Sequence, residues 1–236
     1  MVSIAIGVGK NKNVEKAVKN VNFDVLLAHS EDELIEMIEN NEADAYVRGS
    51  LSSSIILKLR KMGEIHRASL IETNGKRFFL TPVGIDEGRT LKEKLKIIKK
   101  CYNFFKKINL KPKIAILSGG RKEDVGRSIE VDKSIEEGEK LEKLAKDMGA
   151  KHYYILIEKA IKDGCNLVVA PNGICGNLIF RSLVLVGSAK SYGAISLGID
   201  PIFIDTSRSQ TVEGYMRALK FAKYLATKFK KEGQCH

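Results

Sequence analysis

The chain has 236 residues, 44% hydrophobic and 29% charged, enough apolar material for one large domain or two small lobes. Its 20 glycines and 4 prolines exclude a collagenous or low-complexity chain, and no apolar run reaches the ~18 residues that span a bilayer. Lys and Arg total 40 against 29 Asp and Glu, a net charge of +11 that would suit a polyanion unless the lysines are merely solvated.

Short apolar runs alternate with amphipathic segments, the signature of an α/β fold. The N-terminal Met1-Val2-Ser3-Ile4-Ala5-Ile6-Gly7 has no charged n-region, so a strand near 2–7 and a cytoplasmic location are expected. Gly7-Val8-Gly9-Lys10 follows, before a helix near 11–20. A dinucleotide fingerprint needs glycine where Lys12 stands, and a P-loop needs one at Ile4, so both motifs fail. Strands near 24–28 and 44–47 alternate with helices near 31–40 and 51–62. His66 to Glu72 and Lys76 to Val83 flank Asn74-Gly75 as a hairpin with a type I′ turn. The sheet is therefore mixed, or the hairpin belongs to another sheet.

The helix expected near 90–108 places Leu91, Leu95, Ile98, Tyr102 and Phe105 on one face and seven lysines around them. That is a wet lysine face, with no interleaved aromatics of the RNA-binding kind. Neither a nucleic-acid partner nor a membrane is expected.

A strand near 113–117 leads into Ser118-Gly119-Gly120-Arg121 and then Gly126-Arg127-Ser128, where a helix over 126–148 begins. Glycines let backbone approach a ligand, a helix start offers amide donors, and Arg121 and Arg127 offer forked charge for phosphate. An ordinary βα loop with exposed arginines is the bland alternative. Within that helix Glu136–Lys140 and its neighbours stand at supportive i,i+4 spacing, and Gly138 interrupts at modest cost. A strand near 166–170 precedes Pro171-Asn172-Gly173-Ile174-Cys175-Gly176-Asn177. Here Asn177 is placed near the N-cap of a helix over 177–188, while Asn172 and the Gly176 backbone are equally placed to face a substrate. Strands near 192–197 and 201–204 end in Asp205-Thr206-Ser207-Arg208-Ser209-Gln210-Thr211, where Ser209 or Thr211 caps the last helix, over 211–231. Hydroxyls, Arg208 and a helix start together make an anion site there.

Cys101, Cys165, Cys175 and Cys235 form no C-x-x-C pair, and His29, His66, His152 and His236 have no paired spacing, so no metal site is expected. Cys175 has no histidine near it in sequence and reads as buried packing. Cys235-His236 reads as a frayed tail. The loops 118–128, 171–177 and 205–211 all leave the carboxyl ends of apparent parallel strands, the edge at which α/β folds bind ligands.

Four blocks carry a family resemblance. Asn166 to Asn177 resembles the strand-Pro-Asp-x-x-x-Gly-Asn block of the phosphate acetyl/butyryl transferases, and Gly187 to Asp205 resembles their two-strand ending. Asp205-x-Ser207-Arg208 matches their Asp-x-Ser-Arg signature. Pro112 to Ser118 resembles their Pro-x-x-Ala-x-Leu-Ser strand, and Ala43 to Gly49 their Ala-Asp-Gly-x-Val-x-Gly turn. The short chain, the Ser118-Gly119-Gly120-Arg121 variant and the lysine-rich composition are similar to a subgroup, the methanogen marker family called methyltransferase subunit X (MtxX).

The resemblance implies a two-lobed isocitrate/isopropylmalate dehydrogenase-like α/β fold with a mixed, mostly parallel sheet, a cleft between lobes and often a dimer, in an archaeal, methanogenic setting. By carry-over, Arg208 holds a phosphoryl group and Ser207 hydrogen-bonds in the transition state, as the catalytic pair. Ser118, Gly119, Gly120, Arg121, Arg127, Ser128, Asn172, Gly176 and Asn177 line the ligand site. No covalently bound cofactor is implied; the ligand is phosphate or of coenzyme A type, with a small anionic substrate.

Departures from the pattern weigh against simple acetyl transfer. Asn172 and Gly214 stand where the family has acids, Ser209 stands where it has glycine, and glycines follow the Leu-Ser strand. Two proton acceptors for thiol activation are thereby lost. The chain also lacks a D-x-H-x-x-G corrinoid signature and a glycine-rich S-adenosylmethionine loop. Methyl chemistry would then need a methyltransferase or corrinoid partner subunit. The competing readings are a transferase, a non-catalytic accessory subunit, and a nucleic-acid binder that is expected to fail.

Overall fold

The computed structural model describes residues 2–233. The chain begins with β1 (Ile4–Gly7), α1 (Asn13–Lys19), β2 (Val25–Ala28), α2 (Glu31–Glu39), β3 (Ala45–Val47) and α3 (Ser54–Leu59). It continues through the hairpin β4 (His66–Thr73) and β5 (Lys76–Thr81), then α4 (Leu91–Lys107), β6 (Ile114–Leu117), α5 (Ile129–Ala145), β7 (Ala150–Tyr154), α6 (Ile157–Lys162) and β8 (Leu167–Val169). It closes with α7 (Gly173–Phe180), which runs on through a wider turn over Arg181–Val186, and then β9 (Lys190–Leu197), β10 (Phe203–Asp205) and α8 (Val212–Gly233). Cys235-His236 lies outside the described residues. Among those described, no helix is long and apolar enough to cross a membrane.

Two compact units divide the chain. Residues up to Ile65 and from Ser191 onward form the first, and His66–Lys190 the second. In the first, the strands run in the order β2-β1-β3-β10-β9, the first four parallel and β9 antiparallel to β10. Ile4, Ile6, Val47, Phe203 and Ile204 are fully buried in these strands, and Tyr215, Leu219 and Ala222 of α8 are fully buried as well. Both-face burial explains why these strands read as continuous apolar runs and not as alternating ones.

In the second unit the order is β4-β5-β8-β6-β7. The hairpin is antiparallel within itself, but β5 pairs parallel with β8, and β8 with β6 and β6 with β7 follow in parallel. The hairpin thus joins the parallel strands of its own unit in one mixed sheet. Asn74 and Gly75 both take positive φ (49° and 73°), as the type I′ turn demands. Phe79 of β5 meets Phe104 and Phe105 of α4 with ring centroids 5.6 and 5.2 Å apart, anchoring that helix.

Helix starts follow local chemistry. The Ser30 side chain accepts from Glu33 N while Glu33 Oε2 accepts from His29 N, and Thr90, Glu93 and Arg89 repeat the arrangement. Four sequence expectations need correction. The strand β7 and helix α6 fall where no element was expected. Helix α7 begins at Gly173, and Asn172, not Asn177, caps it. The buried face of α4 centres on Ile97, Ile98, Cys101, Phe104 and Phe105, so Leu91, Leu95 and Tyr102 lie at its margin. Lys94 is not on the wet face: it is buried, with Nζ 2.6 Å from Glu137 Oε2 and 2.7 Å from the Pro171 carbonyl.

Candidate functional site

In the first unit β1, β3 and β10 end side by side, and the loops that leave them interlock. Gly7 and Gly9 have no room for a Cβ, because Leu51 and the Arg48 and Ser50 carbonyls already fill that space. The glycines that resembled a nucleotide motif are there for packing. Gly9 N donates to Ser50 Oγ at 2.8 Å, and Thr206 Oγ1 donates to the Gly49 carbonyl at 2.8 Å. Arg48 is buried; its guanidinium donates to the Thr206 carbonyl and stands 3.1 Å from Asp205 Oδ1. That Nε–Oδ1 approach is ionic without good hydrogen-bond alignment.

Beyond Thr206 the backbone is held at almost every residue. Tyr215 Oη donates to the Ser207 and Arg208 carbonyls at 3.1 and 3.0 Å, and Asn11 Nδ2 donates to the Arg208 and Gln210 carbonyls at 2.9 and 3.1 Å. Ser209 N donates to Ser207 Oγ, and Thr211 Oγ1 caps α8 by accepting from Gly214 N. The Arg208 side chain is exposed, and among the described residues nothing pairs with its guanidinium. A fixed backbone thus carries an arginine with five free donors.

In the second unit, the Ser118 to Ser128 loop spends its polar groups on itself. Ser118 N donates to the Tyr154 carbonyl, Gly119 N to Ser134 Oγ at 2.8 Å, and Arg121 N to Asp124 Oδ2 at 2.8 Å. Gly120 gives room to Val131 and Asp124. Ser128 Oγ caps α5 by accepting from Val131 N, and Arg127 pairs with Asp124 at 2.9 Å. The amide donors expected to greet a ligand are therefore largely engaged, and Arg121 remains as an exposed cation.

Ser118 itself is 2% exposed and its Oγ lies 2.9 Å from Nε2 of His152, a residue of β7. Gly138 allows this: a Cβ there would press into the His152 ring, so the glycine that interrupts α5 makes room for it. His152 Nδ1 is buried without a hydrogen-bond partner. An orphaned lone pair is cheaper than an orphaned N–H, so the proton sits on Nε2 and donates to Ser118 Oγ. The serine hydrogen then points to the Gly120 carbonyl, 3.4 Å away. Burial depresses the His152 pKa, against the raising influence of Glu142 and Glu139 on α5.

The 171–177 segment is likewise structural in its contacts. Asn172 Oδ1 accepts from Cys175 N at 2.9 Å, and Asn177 Nδ2 donates to the Val83 carbonyl at 3.1 Å. Gly173 and Gly176 lie against the Gly84 and Pro82 carbonyls, with no space for a side chain. Cys175 is half-buried rather than buried, and it is a free thiol like Cys101 and Cys165. Among the described residues no cluster of His, Cys, Asp and Glu is suited to a metal.

No family profile matches the chain. It is 43% identical over 94% of its length, and 97% of the relative's, to a protein of Methanocaldococcus jannaschii named an uncharacterized methyltransferase. A Methanosarcina barkeri protein named "Putative methyltransferase mtx subunit X" is 39% identical, over 85% of this chain and 76% of that one. The chain belongs to this MtxX family of methanogen proteins.

The fold of the MtxX chain is that of the phosphotransacylases. The branched-chain phosphotransacylase of Enterococcus faecalis superposes with a TM-score of 0.72 at 18% identity, covering 96% of this chain and 99% of that one. The phosphotransacetylase of Streptococcus pyogenes gives 0.68 at 17%, covering 97% and 94%. A 4-hydroxythreonine-4-phosphate dehydrogenase of Klebsiella pneumoniae gives 0.60 at 10%, covering 96% and 100%. At such identities the likeness is one of fold.

Proposed function

We propose that this MtxX chain is a transferase that holds a small phosphorylated or coenzyme A-type anion through Arg208. The observation that carries the reading is the one just described: an exposed guanidinium without a partner among the described residues, on a backbone pinned by Asn11, Tyr215 and the Arg48–Asp205 pair. A pinned backbone lowers the ordering cost of binding, and a planar fork suits two phosphoryl oxygens at once. Ser207, next to it, has a hydroxyl within reach of the same anion and would follow charge as it develops. The methyltransferase name of its relatives agrees with group transfer as the reaction class.

A second reading has its own observation. Asn172 is occupied as the α7 cap, and Gly214 offers no side chain, so neither position supplies a proton acceptor. With most amide donors of the 118–128 loop also engaged, this favours an accessory subunit that binds an anion while a partner subunit supplies the methyl-carrying cofactor.

Calorimetric or thermal-shift titration with phosphate, acetyl phosphate and coenzyme A tests the shared step. Losing a charge-assisted fork should weaken binding at least about tenfold, given 1.5–3 kcal/mol for such bonds. Arg208→Ala with unchanged affinity removes both readings. Turnover of an acyl or methyl donor by the isolated chain would then separate the enzyme from the accessory subunit.

A further inference from the structure

The second half of α8 turns one face to a groove of about 430 Å³ within the first unit. Lys220, Lys223, Lys228 and Lys231 line it, with Tyr224 of the same helix and Phe23 from the loop between α1 and β2. At about 100° per residue the five α8 positions share an arc of about 140°, and Lys220 to Lys231 run along about 16 Å of helix. The helix dipole accounts for a lysine in the last turn, as at Lys231. It does not account for Lys220 and Lys223, about three turns or more before the end at Gly233.

Among the described residues none of these four ammoniums enters an ion pair or a hydrogen bond, whereas Lys230, next in the chain to Lys231, reaches Asp44 at 2.8 Å. Two of them are steadied by rings instead. Lys223 Nζ lies 4.2 Å from the centroid of Phe23, and Lys228 Nζ lies 5.8 Å from that of Tyr224. A ring holds an ammonium in place without cancelling its charge. Phe23 is half-buried and Tyr224 is 48% exposed, so ring surface faces the groove together with the charge. Like charges on one helix face repel one another and cost stability until an anion lies across them.

We infer that this groove binds single-stranded nucleic acid, with backbone phosphates on the four lysines and bases against Tyr224 and Phe23. Cations interleaved with ring faces along a groove are what such a strand requires. The groove is open to solvent, whereas a site for a free nucleotide encloses most of its ligand. Its line of lysines matches about five nucleotides at 3.4 Å each. A duplex keeps its bases stacked inside and leaves the rings without a partner. A membrane does not fit, because α8 has already buried its apolar side chains Tyr215, Leu219, Ala222 and Leu225. An acidic protein segment would meet the lysines and leave the rings unused. The sequence argued against nucleic acid from the lysine face of α4. Phe23 reaches the α8 lysines from the other end of the chain, a contact that no spacing in sequence displays. The inference goes beyond the reading of Arg208, which precedes the first turn of α8.

Fluorescence anisotropy of a labelled oligo(dT) of about twelve nucleotides, titrated with the full chain from about 50 to 200 mM salt, tests the inference. Four phosphate contacts on a single strand should give a slope of about −3 in log affinity against log salt. Lys223→Glu combined with Lys228→Glu should weaken binding at least about tenfold and roughly halve that slope. Tyr224→Ala should weaken it about fivefold or more through lost stacking. Lys92→Glu combined with Lys99→Glu, exposed on α4 and equal in charge change, should stay within about twofold of the native chain. Circular dichroism separates lost binding from lost folding, and Tyr224→Ala keeps the test decisive where charge reversal unfolds α8. Absence of binding at about 50 mM salt overturns the inference. So does an equal loss from the α4 pair, which reduces the effect to net charge, or a Tyr224→Ala chain that binds as the native one does. Displacement of the strand by a duplex of equal length, ATP, poly-glutamate or anionic vesicles, as readily as by unlabelled oligo(dT), overturns it too.

Discussion

At the scale of single residues, the two most informative partnerships join positions far apart in sequence. Arg48 and Asp205 form a buried pair that holds the start of the 205–211 loop. Asp205→Ala strands a buried guanidinium and should cost about 3 kcal/mol or more. Urea denaturation measures it, and a loss under about 1 kcal/mol would show that Arg48 finds other compensation. Ser118 and His152 stand 34 residues apart and meet only because β6 and β7 are parallel neighbours. His152 has a depressed pKa in the folded chain, so the unfolded chain takes up its proton first as pH falls. Its contribution to stability is complete above the ordinary histidine value of about 6.5 and is lost as pH drops through the lowered folded value. Melting curves at pH 7.5 and pH 5 should therefore converge more closely for His152→Leu than for the native chain. An acid-induced drop of equal size in both would discard that account. The sequence marked out the 205–211 loop that carries Ser207 and Arg208, because a loop between a strand and a helix is local. It was silent on His152 and on the partner of Arg48, because those contacts are made by sheet order.

At the scale of elements, legibility followed length and polarity. Helix α4 and the β4–β5 hairpin stood out because a long amphipathic face and an Asn-Gly turn are strong local signals. Strand β7 and helix α6 are five and six residues long, and they lie between Gly149 and Gly164, both at positive φ. Elements that short show no full period. Helix α7 was misplaced for the opposite reason: it is apolar on nearly every side, and its internal glycines imitate a loop. Those glycines are packing devices, which makes them testable. Gly173→Ala drives a methyl group into the Gly84 carbonyl and should cost about 1–3 kcal/mol by overpacking. Asn172→Ala removes the cap of the same helix for about 1 kcal/mol. Thermal unfolding ranks the two, and an Asn172→Ala effect larger than that of Gly173→Ala would point to a role for Asn172 beyond capping.

At the scale of the whole molecule, the chain leaves its first unit after Ile65 and returns to it at Ser191. The second unit is one continuous stretch, whereas the first is assembled from both ends. Its strand β3 needs β10 as a parallel neighbour, and α8 buries Tyr215, Leu219 and Leu225 completely. Those three side chains alone contribute about 2 kcal/mol each, a large share of the 5–15 kcal/mol that stabilises an ordinary domain. A chain ended at Lys190 should therefore lose the first unit and keep the second. Hydrogen exchange on that truncated chain is expected to find β1, β2 and β3 amides exchanging freely while those of β6, β8 and α5 stay protected. In the full chain β1 should be protected along with β6, because its neighbours β2 and β3 then belong to a closed core. Protection of β1 that survives truncation would mean that residues 2–65 hold a core of their own, and that the return of the chain adds function without adding stability.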